Sequence, residues 1–167
     1  GWVMTDGNYN TSQKNTTVKI FQSKIKNINT IINLLNDLNI KYCVHTRERD
    51  IKQICGKTLK SKPLPENCFS ITVESSKRIL ELLPNKKKVP DWMKDLSIRQ
   101  FNIFLESLLA GDDSVRRKER VLYGEKEFLD QIQELALING ISARVLKNNR
   151  GDSILNFSTT KRGYIND

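Results

Sequence analysis

Ser97-Ile-Arg-Gln-Phe-Asn-Ile-Phe-Leu-Glu-Ser-Leu-Leu-Ala-Gly-Asp-Asp-Ser114 is the stretch whose reading decides the rest of the chain. Ile98, Phe101, Leu105, Leu108 and Leu109 recur at helical spacing and give one apolar stripe. Ser97 is a capping residue, and Gln100 three positions on completes a capping box. The far end departs from an ordinary amphipathic helix. Ser107, Ala110 and Gly111 are small enough to let another helix come close, and they run straight into Asp112 and Asp113. An acid there faces the negative pole of its own helix dipole, which a bound cation would relieve. Taken alone, the stretch also fits a core helix with a polar exit.

A second copy weighs against that plainer reading. Gly1-Trp-Val-Met-Thr-Asp-Gly7 aligns with Ser107-Leu-Leu-Ala-Gly-Asp-Asp113, which sets Asp6 opposite Asp112. Downstream, Thr17 to Ser23 reads as a strand and Asn27 to Leu38 as a helix ending at Asn39-Ile40. Arg120 to Tyr123 reads as a strand and Glu127 to Ile138 as a helix ending at Asn139-Gly140-Ile141. Gln22 to Ile40 and Tyr123 to Ile141 are equally long, so the halves are expected to superimpose here without a gap. The chain is internally duplicated.

These residues resemble the paired dodecapeptide motifs of LAGLIDADG homing endonucleases, especially the endonuclease domains carried inside inteins. Phe104 to Ser114 is similar to the second motif, and Gly1 to Gly7 to the C-terminal part of the first. Lys87-Lys-Val-Pro-Asp-Trp92 resembles the basic, proline-containing segment before the second motif. Leu135 to Val145 resembles the family's helix-to-strand block. Each motif alone is weak; four in the expected order, over nearly the whole chain, are fairly specific. On this resemblance the chain starts inside its first motif, as a fragment would, or a chain whose upstream residues are not included.

Composition agrees with such a partner. A length of 167 residues suffices for one ordinary domain, or for two small halves sharing a core. A formal charge of +9 favours a polyanion, and 7% aromatic content argues against a single-strand binder built on base stacking. No apolar run reaches the roughly eighteen residues that a membrane span needs. Cys43, Cys55 and Cys68 form no closely spaced pair and fit reduced thiols of an intracellular protein, with Cys43 and Cys68 expected as buried strand residues. His45 is the only histidine, which excludes chemistry needing two, and no ligand pair has zinc-site spacing. It is expected on a strand face, toward DNA.

In chain order, Asn8 to Asn15 reads as a polar turn. Thr16 to Lys24 alternates, with Val18, Ile20 and Gln22 on one face and Lys19, Phe21 and Ser23 on the other. Lys41 to Arg49 is a further strand, residues 50–67 a long Lys-rich loop, and Cys68 to Glu74 another strand. Ser75 or Ser76 is expected to cap a short helix that Pro84 ends. Pro84 to Pro90 reads as a solvated linker, Val115 to Tyr123 as a basic strand, and Arg144 to Asn148 with Ser153 to Thr159 as a hairpin. Through Trp92 there are 16 basic and 8 acidic residues, and after it 12 and 11. Positive charge in the second half is therefore concentrated, on Arg116, Arg117, Lys118 and Arg120 and on Arg144, Lys147 and Arg150.

The resemblance supplies the chemistry. Asp6 and Asp112 would be metal ligands, joined by the main-chain carbonyls of Thr5 and Gly111, holding Mg²⁺ (or Mn²⁺) for phosphodiester hydrolysis. Asp113 stands where the family has glycine, so the choice between Asp112 and Asp113 stays open. Lys87, Lys88 and Lys161 are the candidate cations for the transition state. Gln22 matches a water-orienting position, and Tyr123 is expected at the corresponding place in the second half. Lys19, Lys24, Arg47 and Arg49 would join the second half's basic residues in contacting DNA, each being otherwise ordinary strand surface.

The fold expected is α/β (α+β): two pseudo-symmetric αββαββα repeats, 1–92 and 93–167, with central paired motif helices and a saddle-shaped antiparallel sheet. The expected function is a site-specific homing endonuclease, monomeric and intracellular, that makes a double-strand cut in a long asymmetric target. Intein splicing segments are candidate fusion neighbours. The alternative is a degenerate copy that binds DNA or RNA without cutting, as a regulator or an RNA-splicing maturase. A third reading is an incomplete domain that folds only with its missing segment.

Overall fold

Alternation in Thr16 to Gln22 turns Val18, Ile20 and Gln22 inward, and Phe69 and Ile71 join them on the same face of a sheet. The computed structural model describes residues 1–48, 63–112, 120–147 and 151–157, with the backbone of 53–54 and 57–58. It divides into two compact units, Trp2–Pro84 and Asn85–Asp167, the latter including Gly1.

The first unit runs α1 (Trp2–Thr5), β1 (Gly7–Thr11), β2 (Thr16–Gln22), α2 (Ile25–Asp37), β3 (Tyr42–Arg47), the two-residue strands β4 (Gln53–Ile54) and β5 (Lys57–Thr58), β6 (Glu66–Ile71) and α3 (Val73–Leu82). Its antiparallel sheet has the order β1-β2-β6-β3, while β4 and β5 form a separate two-stranded sheet among the described residues. The expected αββαββα order is present, with β4–β5 inserted in the long loop. Ile31 and Leu35 of α2 lie buried with the sheet's apolar face. Ser76 ties α3 to the sheet, its Oγ accepting from Val18 N at 2.9 Å.

Several local expectations change. Asn8 to Thr11 is strand, not turn: the turn is confined to Ser12–Asn15, where Ser12 N donates to Asn15 O. Thr72, not Ser75 or Ser76, caps α3, because both serines are buried and bonded elsewhere. Cys43 is exposed and Cys68 half-buried, since β3 is an edge strand and both thiols lie on the face away from the core.

The second unit contains a short 3₁₀ turn (Asp91–Asp95), α4 (Ile98–Gly111), β7 (Arg120–Tyr123), α5 (Lys126–Ile138), β8 (Ala143–Lys147) and β9 (Ser153–Phe157). Its sheet order is β7-β9-β8, and the Asn149-Arg150 tip of the hairpin lies outside the described residues. Residues 113–119, the start of the expected basic strand, also lie outside them. The capping box forms at the start of α4: Gln100 N donates to Ser97 Oγ, and Ser97 N to Gln100 Oε1. Phe101, Leu105, Leu108 and Leu109 are buried as the stripe requires, whereas Ile98 is exposed.

The segment 85–95 is not a solvated linker. Val89 N donates to Gln131 Oε1 of α5, Lys94 pairs with Glu134, and Lys87 pairs with Glu125 at the start of α5. The units therefore divide at Pro84 rather than at Trp92.

Duplication extends to the helix ends. α2 and α5 both have 13 residues. Each is followed by a residue at positive φ, Asn39 at 50° and Gly140 at 72°, residue types that tolerate a left-handed helix exit. Ile40 N and Ile141 N then return to Leu35 O and Ala136 O. Among the described residues no helix is long and apolar enough to cross a membrane.

Ser97→Ala should lower stability by ~1 kcal/mol in urea denaturation, the usual cost of losing an N-cap. Tyr9 gives a second check. Its hydroxyl donates to Leu83 O, and burial pushes the phenol up to about 12. The folded state then keeps a proton that the unfolded chain releases from about pH 10 upward, so stability falls as pH rises through that window. Tyr9→Phe should flatten this part of the stability–pH curve.

Candidate functional site

Each motif acid sits where a helix stops. In the first unit Asp6 N returns to Trp2 O at 3.0 Å, and in the second Asp112 N returns to Leu108 O at 3.1 Å. The chain must turn sharply after Asp6 to enter β1. A Cβ on Gly7 would lie 2.2 Å from the Val3 carbonyl oxygen, so glycine is required there by space. The matching residue of the second unit, Asp113, lies outside the described residues.

The end of β2 in the first unit, and of β7 in the second, then fixes each acid. Phe21 N donates to Asp6 O at 3.0 Å, and Gln22 Nε2 donates to Asp6 Oδ2 at 2.8 Å. Gln22 is 7% exposed, so its amide needs partners on both sides. Its Oε1 accepts from Ser23 N and Lys24 N, both at 3.0 Å, which also satisfies the entry to α2. Gln22 is thus a clamp on Asp6. In the second unit the clamp is main chain: Tyr123 N donates to Asp112 Oδ2 at 2.7 Å.

Strand register corrects the expected equivalence of Gln22 and Tyr123. Ile20 pairs with Phe69, which pairs with Val44; Leu122 pairs with Leu155, which pairs with Val145. Leu122 therefore matches Ile20, Tyr123 matches Phe21, and Gly124 stands at the place of Gln22. The strand-to-helix connection is one residue shorter in the second unit. Its half-site has no side-chain amide at that position.

The donor sets suit a hard divalent cation. Asp6 and Asp112 are half-buried carboxylates, and the adjacent carbonyls of Thr5 and Gly111 lie at helix C-termini, where the dipole favours positive charge. Among the described residues no three His, Cys, Asp or Glu gather as a metal cluster. A cation here would complete its shell with water and phosphate oxygens, as Mg²⁺ commonly does.

The predicted basic residues divide by surroundings. Lys19 lies on the face of the first sheet turned from the core, in line with Asn8, Ser70 and Cys43. His45 is on the same face, one row along, with Phe21 and Cys68. Lys24 is the N-cap residue of α2. Arg47 is committed to Glu66, with Nε at 2.9 Å and Nη2 at 2.6 Å from Oε2. Arg120 points toward Glu106 of α4 at 3.9 Å, while Arg144 shares the outer face of the second sheet with Asn156. Lys147 is exposed at the end of β8. Lys87 is paired with Glu125, and Lys88 is exposed. Arg49, Arg116, Arg117, Lys118, Arg150 and Lys161 lie outside the described residues. Glu66 and Glu125 were not anticipated; their partners are distant in sequence, and no local pattern marks them.

This helix-end and sheet arrangement has the LAGLIDADG homing endonuclease fold. The solved structures that resemble it include a mesophilic variant of the homing endonuclease I-DmoI, with TM-score 0.63 and 15% identity, covering 95% of this chain and 84% of that one. I-DmoI in complex with DNA and Ca gives TM-score 0.62 at 13% identity, over 95% and 79% of the two chains. An I-DmoI variant with its target DNA in the presence of Mg gives 0.62 at 14%, over 94% and 84%. At such identities the likeness establishes the fold. No family model and no curated protein matches the chain.

Arg47→Ala provides a check on the commitment to Glu66, which is only 3% exposed. Removing a charge partner from a buried carboxylate should cost about 1–3 kcal/mol in chemical denaturation. A purely DNA-facing arginine would leave stability unchanged.

Proposed function

We propose that the chain is a site-specific DNA endonuclease of the homing type, each compact unit being one LAGLIDADG repeat. The observation that carries this reading is the repeated clamp: the end residue of β2 in the first unit, and of β7 in the second, hydrogen-bonds the Oδ2 of the acid at the motif helix's end. Structural residues rarely need a carboxylate fixed twice at the pole that disfavours it. Asp6 with the Thr5 carbonyl, and Asp112 with the Gly111 carbonyl, would hold Mg²⁺, or Mn²⁺ in its place. When bound, the cation supplies an activated water and stabilises charge on the phosphate and leaving oxygen.

The residues of the chain do the positioning. Gln22 and Tyr123 N–H keep the carboxylates oriented, while the outer sheet faces would receive the major groove, where alternate side chains can meet base edges. Lys19 and Arg144 lie on those faces, and Lys24 and Lys147 at their margins, to meet phosphates. Lys88, exposed ahead of the second motif helix, is the described candidate for transition-state charge, with Lys161 its counterpart. Lys87, tied to Glu125, serves to hold the 85–95 segment. Two unlike units suit an asymmetric site read by a monomer. The protein acts in whichever compartment holds its target DNA, and intein splicing segments are its proposed neighbours in a longer chain.

A second reading is favoured by two specific features. The second half-site has Asp113 in place of the motif glycine and Gly124 in place of the clamping glutamine, as a degenerate copy that only binds nucleic acid would. Asp6→Asn and Asp112→Asn separate the two. For an endonuclease, each should lower duplex cleavage in Mg²⁺ at least about a hundredfold, the scale of losing one preorganised electrostatic group, while binding in Ca²⁺ persists. Undiminished cutting in both variants would refute the site; binding by the wild type with no cutting would establish the second reading.

A further inference from the structure

The outer face of the second sheet carries a row of side chains that the core does not explain. Tyr123 of β7 pairs with Ile154 of β9, which pairs with Leu146 of β8. All three lie on the face opposite Leu122, Leu155 and Val145, the row that points to the core. Tyr123 is 51% exposed and Leu146 41% exposed, and Ile154 is half-buried between them. A continuous apolar row on an exposed sheet calls for something to cover it. The next row along is Val121, Asn156 and Arg144, so a cation and an amide stand beside the apolar strip.

The row is also fixed relative to the chemistry. Tyr123 N–H is the group that clamps Asp112. Whatever covers Tyr123, Ile154 and Leu146 therefore lies next to the second half-site's acid. The matching row of the first unit is Phe21, Cys68 and His45, where Phe21 N–H binds the Asp6 carbonyl. The two rows occupy the same place in their repeats with different chemistry: one ends in an imidazole, the other in an isobutyl group.

We propose that Tyr123, Ile154 and Leu146 read thymine C5-methyl groups in the base pairs adjoining the cut of the half-site bound by the second unit. This rests on the DNA-cutting reading above and adds to it the base chemistry of that half-site. In the major groove only thymine presents an apolar group, so an apolar row beside Arg144 selects it over the other three bases. Complementary charge favours a duplex as the occupant: the row lies beside Arg144, one of the residues on which the second half concentrates its positive charge. His45 at the matching position of the first unit offers hydrogen bonding instead, so methyl dependence belongs to one half-site.

The test uses duplexes that the wild-type chain itself selects from a randomised library in Ca²⁺. Each thymine flanking the cut is then replaced by deoxyuridine, which removes only the methyl group. In one half-site each replacement should weaken binding about fourfold, the scale of one buried methyl or methylene group, and in the other it should have little effect. Leu146→Ala, at an exposed position, should keep the melting temperature of the wild type and bind thymine and deoxyuridine duplexes more nearly alike. The proposal is overturned if selected sites lack thymine beside the cut, if deoxyuridine is neutral in both half-sites, or if Leu146→Ala keeps the full methyl dependence. It is also overturned if the row instead joins two copies of the chain, seen as self-association that Leu146→Ala abolishes. Should the wild type select no duplex, the DNA reading itself fails, an outcome separate from the other four.

Discussion

A carboxylate at the C-terminal end of a helix is the constraint on which the site depends. The helix dipole disfavours it, and the chain holds it there twice. At Asp6 the hold combines a main-chain bond from Phe21 with a side-chain bond from buried Gln22. At Asp112 a main-chain donor, Tyr123 N, bonds the carboxylate oxygen directly. Both arrangements need the strand to end beside the helix terminus, and that in turn needs the buried sheet face of Val18, Ile20 and Phe69, or of Leu122 and Leu155, to seat the strand. Core packing and acid placement are one problem in each unit.

The duplication is close without being uniform. The second helices match in length and in their left-handed exits, yet one residue is missing between strand and helix in the second unit. That loss moves the glutamine position onto Gly124 and turns Tyr123 outward. The shorter connection thus goes with a main-chain clamp in place of a side-chain one, while an aromatic ring, Phe21 or Tyr123, stands on the outer face in both units. Unequal half-sites follow from backbone register alone.

Much of this was legible in the residues. The capping box at Ser97 and Gln100, the buried stripe of α4, the inward alternation of β2 and the equal lengths of α2 and α5 all follow local rules of period and capping. What escaped was non-local. Equal spacing from Gln22 to Ile40 and from Tyr123 to Ile141 suggested an ungapped match, and only cross-strand pairing reveals the slip. Cys43 looked like a buried strand residue because alternation does not tell an edge strand from a central one. Lys86, Lys87 and Lys88 looked like solvated linker, since Glu125 and Gln131, which anchor that segment, lie some forty residues further on. For the site, the two acids were visible as repeated helix-end residues, whereas the bonds that hold them come from strands whose register the sequence does not encode locally.

The most direct measurement is end-sequencing of a randomised duplex library after incubation with the wild-type chain in Mg²⁺, beside Ca²⁺ and EDTA. The account predicts discrete double-strand cuts at one asymmetric sequence, appearing only with Mg²⁺. Retention of a specific duplex with every strand intact would contradict it and leave a binding protein built on an endonuclease fold.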